Sequence, residues 1–277
     1  MSNIIGTAFI SHGIPTLLIE KKTIHDFYYR CGKMIKDLNV DTIIVSSPHY
    51  ISNSFFEIDS RDELPCLQDF YGFPDELYEF NYKANNNTDL VNEIIKKAGD
   101  KKFPLKKSSA WGLDHGAWLP LYFMFPKQDI KVVPVSITNN SPEKHFELGA
   151  LIAEASSATN TRAFFIATGS VVSRPDKFSF TRKEGELYKE GKKFNDLLIK
   201  LISEGDYKKV LQIKNDYPEL FQKANPEGNL NTLFTALGAT DKKIFLGKSF
   251  TQDFVYYSLS LNSFILSGKE EILNYFL

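Results

Sequence analysis

Five histidines occur in the chain, and three of them stand where chemistry could use them. His12 sits in ISHGIP, His49 in SSPHY and His115 in WGLDHGAW, each among small or turn-forming residues. The other two, His25 (TIHDF) and His145 (EKHFEL), fall in helical patterns and read as structural. An imidazole presented at a strand exit or a turn can reach a ligand, and two such groups on rigid supports are the usual start of a transition-metal centre. A third histidine close by, here next to Asp114, suits proton transfer. Gly112 and Gly116 flank Asp114-His115, so a turn is expected there, with the only two tryptophans, Trp111 and Trp118, outside it. For each histidine taken singly, a capping or hydrogen-bonded loop role is the simpler account. Matching positions on consecutive strands are what favour a site.

The elements that would carry these residues follow from periodicity. Ile4–Ile10 (IIGTAFI) reads as a buried strand running into Ser11-His12-Gly13, and residues 42–45 (TIIV) as a second strand running into Ser46-Ser47-Pro48-His49. Residues 130–137 and 163–167 are two further strands. Helical patterns cover 23–38, 88–99, 141–156, 182–203, 206–213 and 231–238, with Ser141-Pro142 as N-cap and first turn of the helix that follows the third strand. Residues 254–264 alternate like a closing strand. Strands alternating with helices predict a single α/β domain over residues 1–277, with a central mostly parallel sheet flanked by helices. In such a sheet ligands bind beyond the carboxyl ends of the strands, which is where His12 and His49 fall. Their ring nitrogens are then expected in one cleft, roughly 3–4 Å apart, as two ligands of one ion held at ~2.1 Å would be.

Composition removes other function classes. With 277 residues, net charge −1 and pI near 6.5, no basic field points to nucleic acid. No apolar run approaches the ~18 residues of a membrane span, and the first residues lack a secretory pattern, so a cytoplasmic protein is expected. Cys31 and Cys66 read as two isolated reduced thiols. The 36 Phe and Tyr residues suit a thick core or an aromatic-lined pocket. A homodimer is the commonest assembly for such a chain.

Several segments together resemble one family: SHGIP (11–15), SSPHY (46–50), YGFPDELYEFNY (71–82), WGLDHGAW (111–118), VPVSI (133–137), HFELG (145–149), ATGSVVS (167–173) and NP…LFTALGA (225–239). In this order they are similar to the class III extradiol ring-cleaving dioxygenases of LigB-like fold, in the branch typified by DOPA 4,5-dioxygenase. The resemblance spans nearly the whole chain, and its WGxDHGxW and GFPxxLY segments are the specific ones. It implies a non-haem Fe(II) or Zn(II) ion, a small catechol-like aromatic substrate and O2. It places His12 and His49 as metal ligands and His115 as the acid/base or hydrogen-bonding group beside the substrate. The family's other site histidine corresponds to Ser173, and its third-ligand position to Asn229, a neutral donor that would hold an ion weakly. Glu227, two residues earlier, offers a carboxylate if the loop shifts. Trp111, Trp118, Phe73 and Tyr78 are expected as aromatic walls of the cleft. Arg174, after Ser173, reads as a surface residue or as an anchor for an acidic group. Two alternatives stay open: a family member that has lost ring cleavage and acts as a binding or partner subunit, and a hydrolase- or isomerase-like enzyme using His115 with Asp114.

Overall fold

Side chains on successive strand residues point to opposite faces, and here both faces are apolar, so the central strands can only be stable between two helical layers. The strands follow the chain as β1 (Ile4–Ile10), β2 (Thr42–Ile51), β3 (Phe56–Asp59), β4 (Glu63–Leu64), β5 (Ala84–Asn85), β6 (Leu105–Ser108), β7 (Lys131–Ile137), β8 (Ala163–Thr168), β9 (Leu246–Thr251), β10 (Phe254–Val255), β11 (Leu259–Ser260) and β12 (Ser263–Ser267). The helices are α1 (Ile24–Asp37), α2 (Thr88–Asp100), α3 (His115–Met124), α4 (Pro142–Ala158), α5 (Lys189–Ser203), α6 (Tyr207–Leu211), α7 (Ile213–Asp216), α8 (Pro218–Ala224) and α9 (Asn231–Ala239). This computed structural model describes residues 3–20, 22–179, 181–182, 186–240, 246–251, 254–267, 272 and 275.

The main sheet has eight strands in the order β6-β3-β7-β2-β8-β1-β12-β9. The centre, β7-β2-β8-β1, is parallel, as is β3 with β6, while β3–β7, β1–β12 and β12–β9 are antiparallel. The sheet is therefore mostly parallel with helices on both faces. Its interleaved side chains divide between two cores. Phe9, Ile44, Phe165 and Ala167 pack with α2, α4, α5 and α9 on one side. Ile10, Ile43, Val45, Phe164 and Ile166 pack with α1 and α3 on the other.

Two departures from the sequence expectation have physical causes. Residues 254–264 do not form one strand: Tyr256 and Tyr257 take positive φ values of 54° and 64°, which breaks the run into the β10–β11 hairpin, and only β12 joins the sheet. The fifth helix starts at Lys189 rather than 182, after a bridge between Leu187 and Tyr257, with residues 183–185 outside the described set.

α4 and α9 are in close backbone contact because Gly149 and Gly238 face each other's helices. A Cβ on Gly149 would strike the Thr235 carbonyl, and one on Gly238 the Phe146 carbonyl. This matters for the site because α9 follows the turn that carries Glu227. A second brace runs through His145, on α4. Thr138, just past β7, donates its N–H to His145 Nε2 (3.2 Å), and Ser141 O lies 2.9 Å from His145 Nδ1. The Thr138 carbonyl in turn accepts from Asn231 Nδ2 at the start of α9 (3.0 Å).

The brace requires a neutral ring, because Nε2 must accept. Burial pushes the His145 pKa down to about 4, against 6.5 for an ordinary imidazole. In acid the unfolded chain takes up this proton first. The stability contributed is present above pH ~6.5 and is lost as pH falls toward 4, about 3 kcal/mol in full. Urea unfolding of His145→Gln across pH 7 to 4 is expected to show lower stability at pH 7 and a shallower acid decline; an unchanged slope would show that His145 is not the group responsible.

Candidate metal centre

The three motif histidines reach one place from two strands and a helix, and the two strand residues do so through side-chain parity. Ala8 and Ile10 face the α1/α3 layer, and His12, two residues on, keeps that direction; Gly13 then turns the chain at φ 65°. Ile43 and Val45 face the same layer, and so does Ser47, whose Oγ donates to Asp114 Oδ1 (2.6 Å). β2 is longer than its sequence suggests and continues to Ile51, but its pairing with β7 is interrupted between Ser46 and Ile51. That irregularity contains Pro48, which has no N–H for a ladder bond, and it lets His49 project from the sheet.

His115 is not on a turn. It is the first residue of α3, with Asp114 as N-cap accepting from the Ala117 N–H (3.1 Å). The expected glycine turn is absent because Gly116 serves close packing instead. A Cβ there would lie 2.5 Å from Ser47 Oγ and 2.7 Å from His49 Cδ2.

The result is a cluster in which one ligand atom from each of His12, His49 and His115 lies within 4.8 Å of the others. His12 Nε2 and His49 Nε2 are 3.3 Å apart. A fourth donor comes from the opposite layer: Glu227 Oε2 is 3.6 Å from His12 Nε2. The Glu227 N–H is pinned to Ser170 O (3.0 Å), and Oε1 accepts from Ser173 Oγ (3.2 Å). Both Glu227 Oε2 and His12 Nδ1 are buried without a hydrogen-bond partner among the described residues. A buried carboxylate oxygen facing an imidazole nitrogen, with no hydrogen to satisfy it, is a donor arrangement that a cation completes.

Electrostatics agree. Burial, then the neighbouring His49 and His115, push the His12 pKa well below the ordinary imidazole value, so its ring is a neutral ligand at pH 7. Burial and His115 lower His49 too, against the pull of Asp114 and Asp69. Burial raises Glu227 to about 7 despite His115, Ser173 and Ser170.

Asn229 is corrected as a donor. Gly228, Asn229 and Leu230 have φ values of 54°, 55° and 63°, a left-handed run that turns Glu227 inward and Asn229 outward. Asn229 is exposed, and its Oδ1 accepts from Lys214 Nζ (3.4 Å). Ser173 is brought to the site but touches the carboxylate rather than the histidines. Trp118 is wholly buried, its Nε1 donating to Leu67 O (2.9 Å), so it belongs to the core and not to a cleft wall. Trp111 is half-buried, stacked on Tyr50 and donating to Asp114 Oδ2 (2.9 Å). Phe73 and Tyr78 lie against Phe70, whose ring meets His115 edge-on at 5.7 Å, so they form the second row of an aromatic flank. Arg174 is engaged by Asp176 and the Lys223 carbonyl.

Sequence reading missed Asp69. Its Oδ1 accepts from the His115 N–H (2.8 Å) and lies 2.9 Å from His115 Nδ1, and its Oδ2 is 3.8 Å from His49 Nδ1. Burial alone would raise this carboxyl, but the bonds and charge of His115, with His49 beyond, outweigh it and hold it below the usual range. The only signal was its place two residues before the YGFP segment.

Comparison with known proteins was decisive for the family. The model of the catalytic LigB subunit of aromatic ring-opening dioxygenase matches residues 6–264. The chain belongs to this family. Among LigB-type relatives, a 4,5-DOPA dioxygenase extradiol of Beta vulgaris is 35% identical over 158 residues, covering 54% of this chain and 57% of its own. One from Escherichia coli K12 is 29% identical over 165 residues, 59% and 58% of the two chains. The chain thus spans under three-fifths of the length of these two relatives. The 3,4-dihydroxyphenylacetate 2,3-dioxygenase of Escherichia coli is 24% identical over 224 residues, 77% and 78% of the two chains. In fold, the crystal structure of an uncharacterized Escherichia coli K12 protein superposes with a TM-score of 0.72 at 20% identity, over 94% of this chain and 98% of that one. Among the described residues no helix is long and apolar enough to cross a membrane.

The packing of Gly116 on His49 is testable without any ligand. Gly116→Ala is expected to lower the unfolding free energy by about 1–3 kcal/mol and to displace the His49 ring from His12. Urea titration and a crystal structure of the variant check this; wild-type stability with an unmoved ring would show that the contact yields freely.

Proposed function

We propose that the protein is a metal-dependent extradiol dioxygenase that opens a catechol-type ring with O2, with His12, His49 and Glu227 holding the ion. The observation that carries this reading is the convergence of two imidazole nitrogens and one unpartnered carboxylate oxygen, at 3.3 and 3.6 Å, in a chain of the LigB family. Two nitrogens and one anionic oxygen on one side of an ion are the set that suits non-haem Fe(II), which we favour over Zn(II). When bound, the ion lowers the pKa of the paired hydroxyls and passes electron density from the ring to O2.

The chain's own residues do the rest. His12 is a neutral donor because burial disfavours its protonation. Ser173 holds Glu227 by Oε1, leaving Oε2 for the ion, so Ser173 acts as a support and not as a proton acceptor. His115, tied through Nδ1, keeps Nε2 to take a proton from a substrate hydroxyl and return it as the ring opens. Phe70, with Phe73 and Tyr78 behind it, flanks His115 with apolar surface that suits a planar ring and limits water. An intact donor set favours this reading over a lapsed binding subunit, and the cytoplasmic location and homodimer remain part of the proposal on general grounds.

Anaerobic calorimetric titration with Fe(II), and separately Zn(II), tests the ligand assignment. Losing a partner of a ligand costs roughly 10–100-fold in affinity, so losing the ligand itself in Glu227→Gln is expected to cost at least about 100-fold. Asn229→Ala is expected to bind as wild type, and Asn229→His to gain nothing. Oxygen uptake with a panel of catechols then tests the chemistry, with His115→Gln slower by about 10²–10⁴-fold. Full metal loading with no uptake on any catechol would turn the reading to a binding subunit; equal losses in the 227 and 229 variants would overturn the ligand set.

A further inference from the structure

Asp114 is the carboxylate next to His115 in sequence, yet it is not the one that serves the ring. Its Oδ1 is taken by Ser47 Oγ and the Ala117 N–H, and its Oδ2 by Trp111 Nε1. The partner of His115 is Asp69, which arrives from a loop without regular secondary structure. That loop is nonetheless fixed. The Leu67 N–H donates to Leu113 O (2.8 Å), the Leu113 N–H to Pro65 O (2.9 Å), and Trp118 Nε1 to Leu67 O. Asp69 is thus held from below and grips His115 at two points, backbone N–H and Nδ1, through one oxygen.

We propose that Asp69 is a shared positioning residue, fixing His115 in the tautomer with its proton on Nδ1 while its second oxygen orients the metal ligand His49. A carboxylate only accepts, so the His115 nitrogen 2.9 Å away must carry hydrogen, and the lone pair is left on Nε2. His49 presents Nε2 to His12 and Nδ1 to Asp69 Oδ2. At 3.8 Å the contact is electrostatic and longer than a hydrogen bond, but it places a carboxylate on the side of the His49 ring where such groups set ring orientation and basicity in metal sites. One side chain therefore links the group that moves protons to a group that holds the ion. This inference rests on the proposed metal and acid/base roles of the two histidines.

The first measurement needs neither metal nor substrate. In metal-free protein with ¹⁵N-labelled histidine at about pH 8, where imidazoles are neutral, long-range ¹H–¹⁵N correlation shows which nitrogen of His115 is protonated. Its signals are assigned by their loss in His115→Gln. The wild type is expected to carry the proton on Nδ1, Asp69→Asn to keep it because an amide oxygen also accepts, and Asp69→Ala to move it to Nε2. A wild-type proton on Nε2 would overturn the proposal, and this result does not depend on any variant folding. The second measurement is Zn(II) affinity, expected to fall about 10–100-fold in Asp69→Ala with partial recovery in Asp69→Asn. Unchanged affinity in a folded Asp69→Ala would remove the link to His49. If the wild type takes up no metal, the dioxygenase reading fails while the tautomer result still judges Asp69 and His115.

Discussion

A buried carboxylate must be fully hydrogen-bonded or it destabilises the fold by several kcal/mol, and Asp114 meets that demand with groups from three parts of the chain. Ser47 comes from β2, Ala117 from α3 and Trp111 from the segment between β6 and α3. The positive end of α3 adds to the same balance. Because Ser47 lies two residues before His49, and His115 directly follows Asp114, satisfying this one anion brings both imidazoles together. Gly116 then allows the approach that the bonds demand. The site is in this sense a by-product of solving one polar burial problem.

The carboxylate facing these histidines comes from the other side of the sheet. β8 lies between β2 and β1, so its exit at Ser170 sits between the two strands that deliver His49 and His12. Glu227 is hung from that exit and backed by α9, which is pressed on α4 through Gly149 and Gly238. Two helical layers thus contribute to a cluster that neither could build. Burial at their meeting point lowers the His12 and His49 pKa values and raises that of Glu227. An added cation would satisfy the carboxylate oxygen that is left there without a partner among the described residues.

Much of this was legible in the sequence where a residue's role follows from its own strand. His12 stands at the exit of β1 and His49 in the interrupted last part of β2, further inside the strand than its sequence suggests, and their Nε2 atoms are 3.3 Å apart. The α/β class followed from alternation, and the two helical histidines are structural in the case of His145. What could not be read depends on contacts between distant segments. α3 is apolar all round with Pro120 inside it, so no period announces it, and its glycine looked like a turn. Trp118 looked like pocket furniture because tryptophan often is, but only the fold shows that its indole secures the loop of Asp69. Asp69 itself is 46 residues from the ring it holds.

The left-handed run at Gly228, Asn229 and Leu230 has a consequence for how proteins of this shape are compared. With this handedness the backbone presents residue 227 to His12 and residue 229 to solvent. Which of two neighbouring polar side chains reaches the histidines is therefore decided by backbone chirality. Leu230, a branched residue in a conformation that costs roughly 1–2 kcal/mol, shows that this twist is imposed by packing and is not a local preference. A reading by position alone thus looks to the amide at 229, where the fold brings the carboxylate at 227 to the histidines.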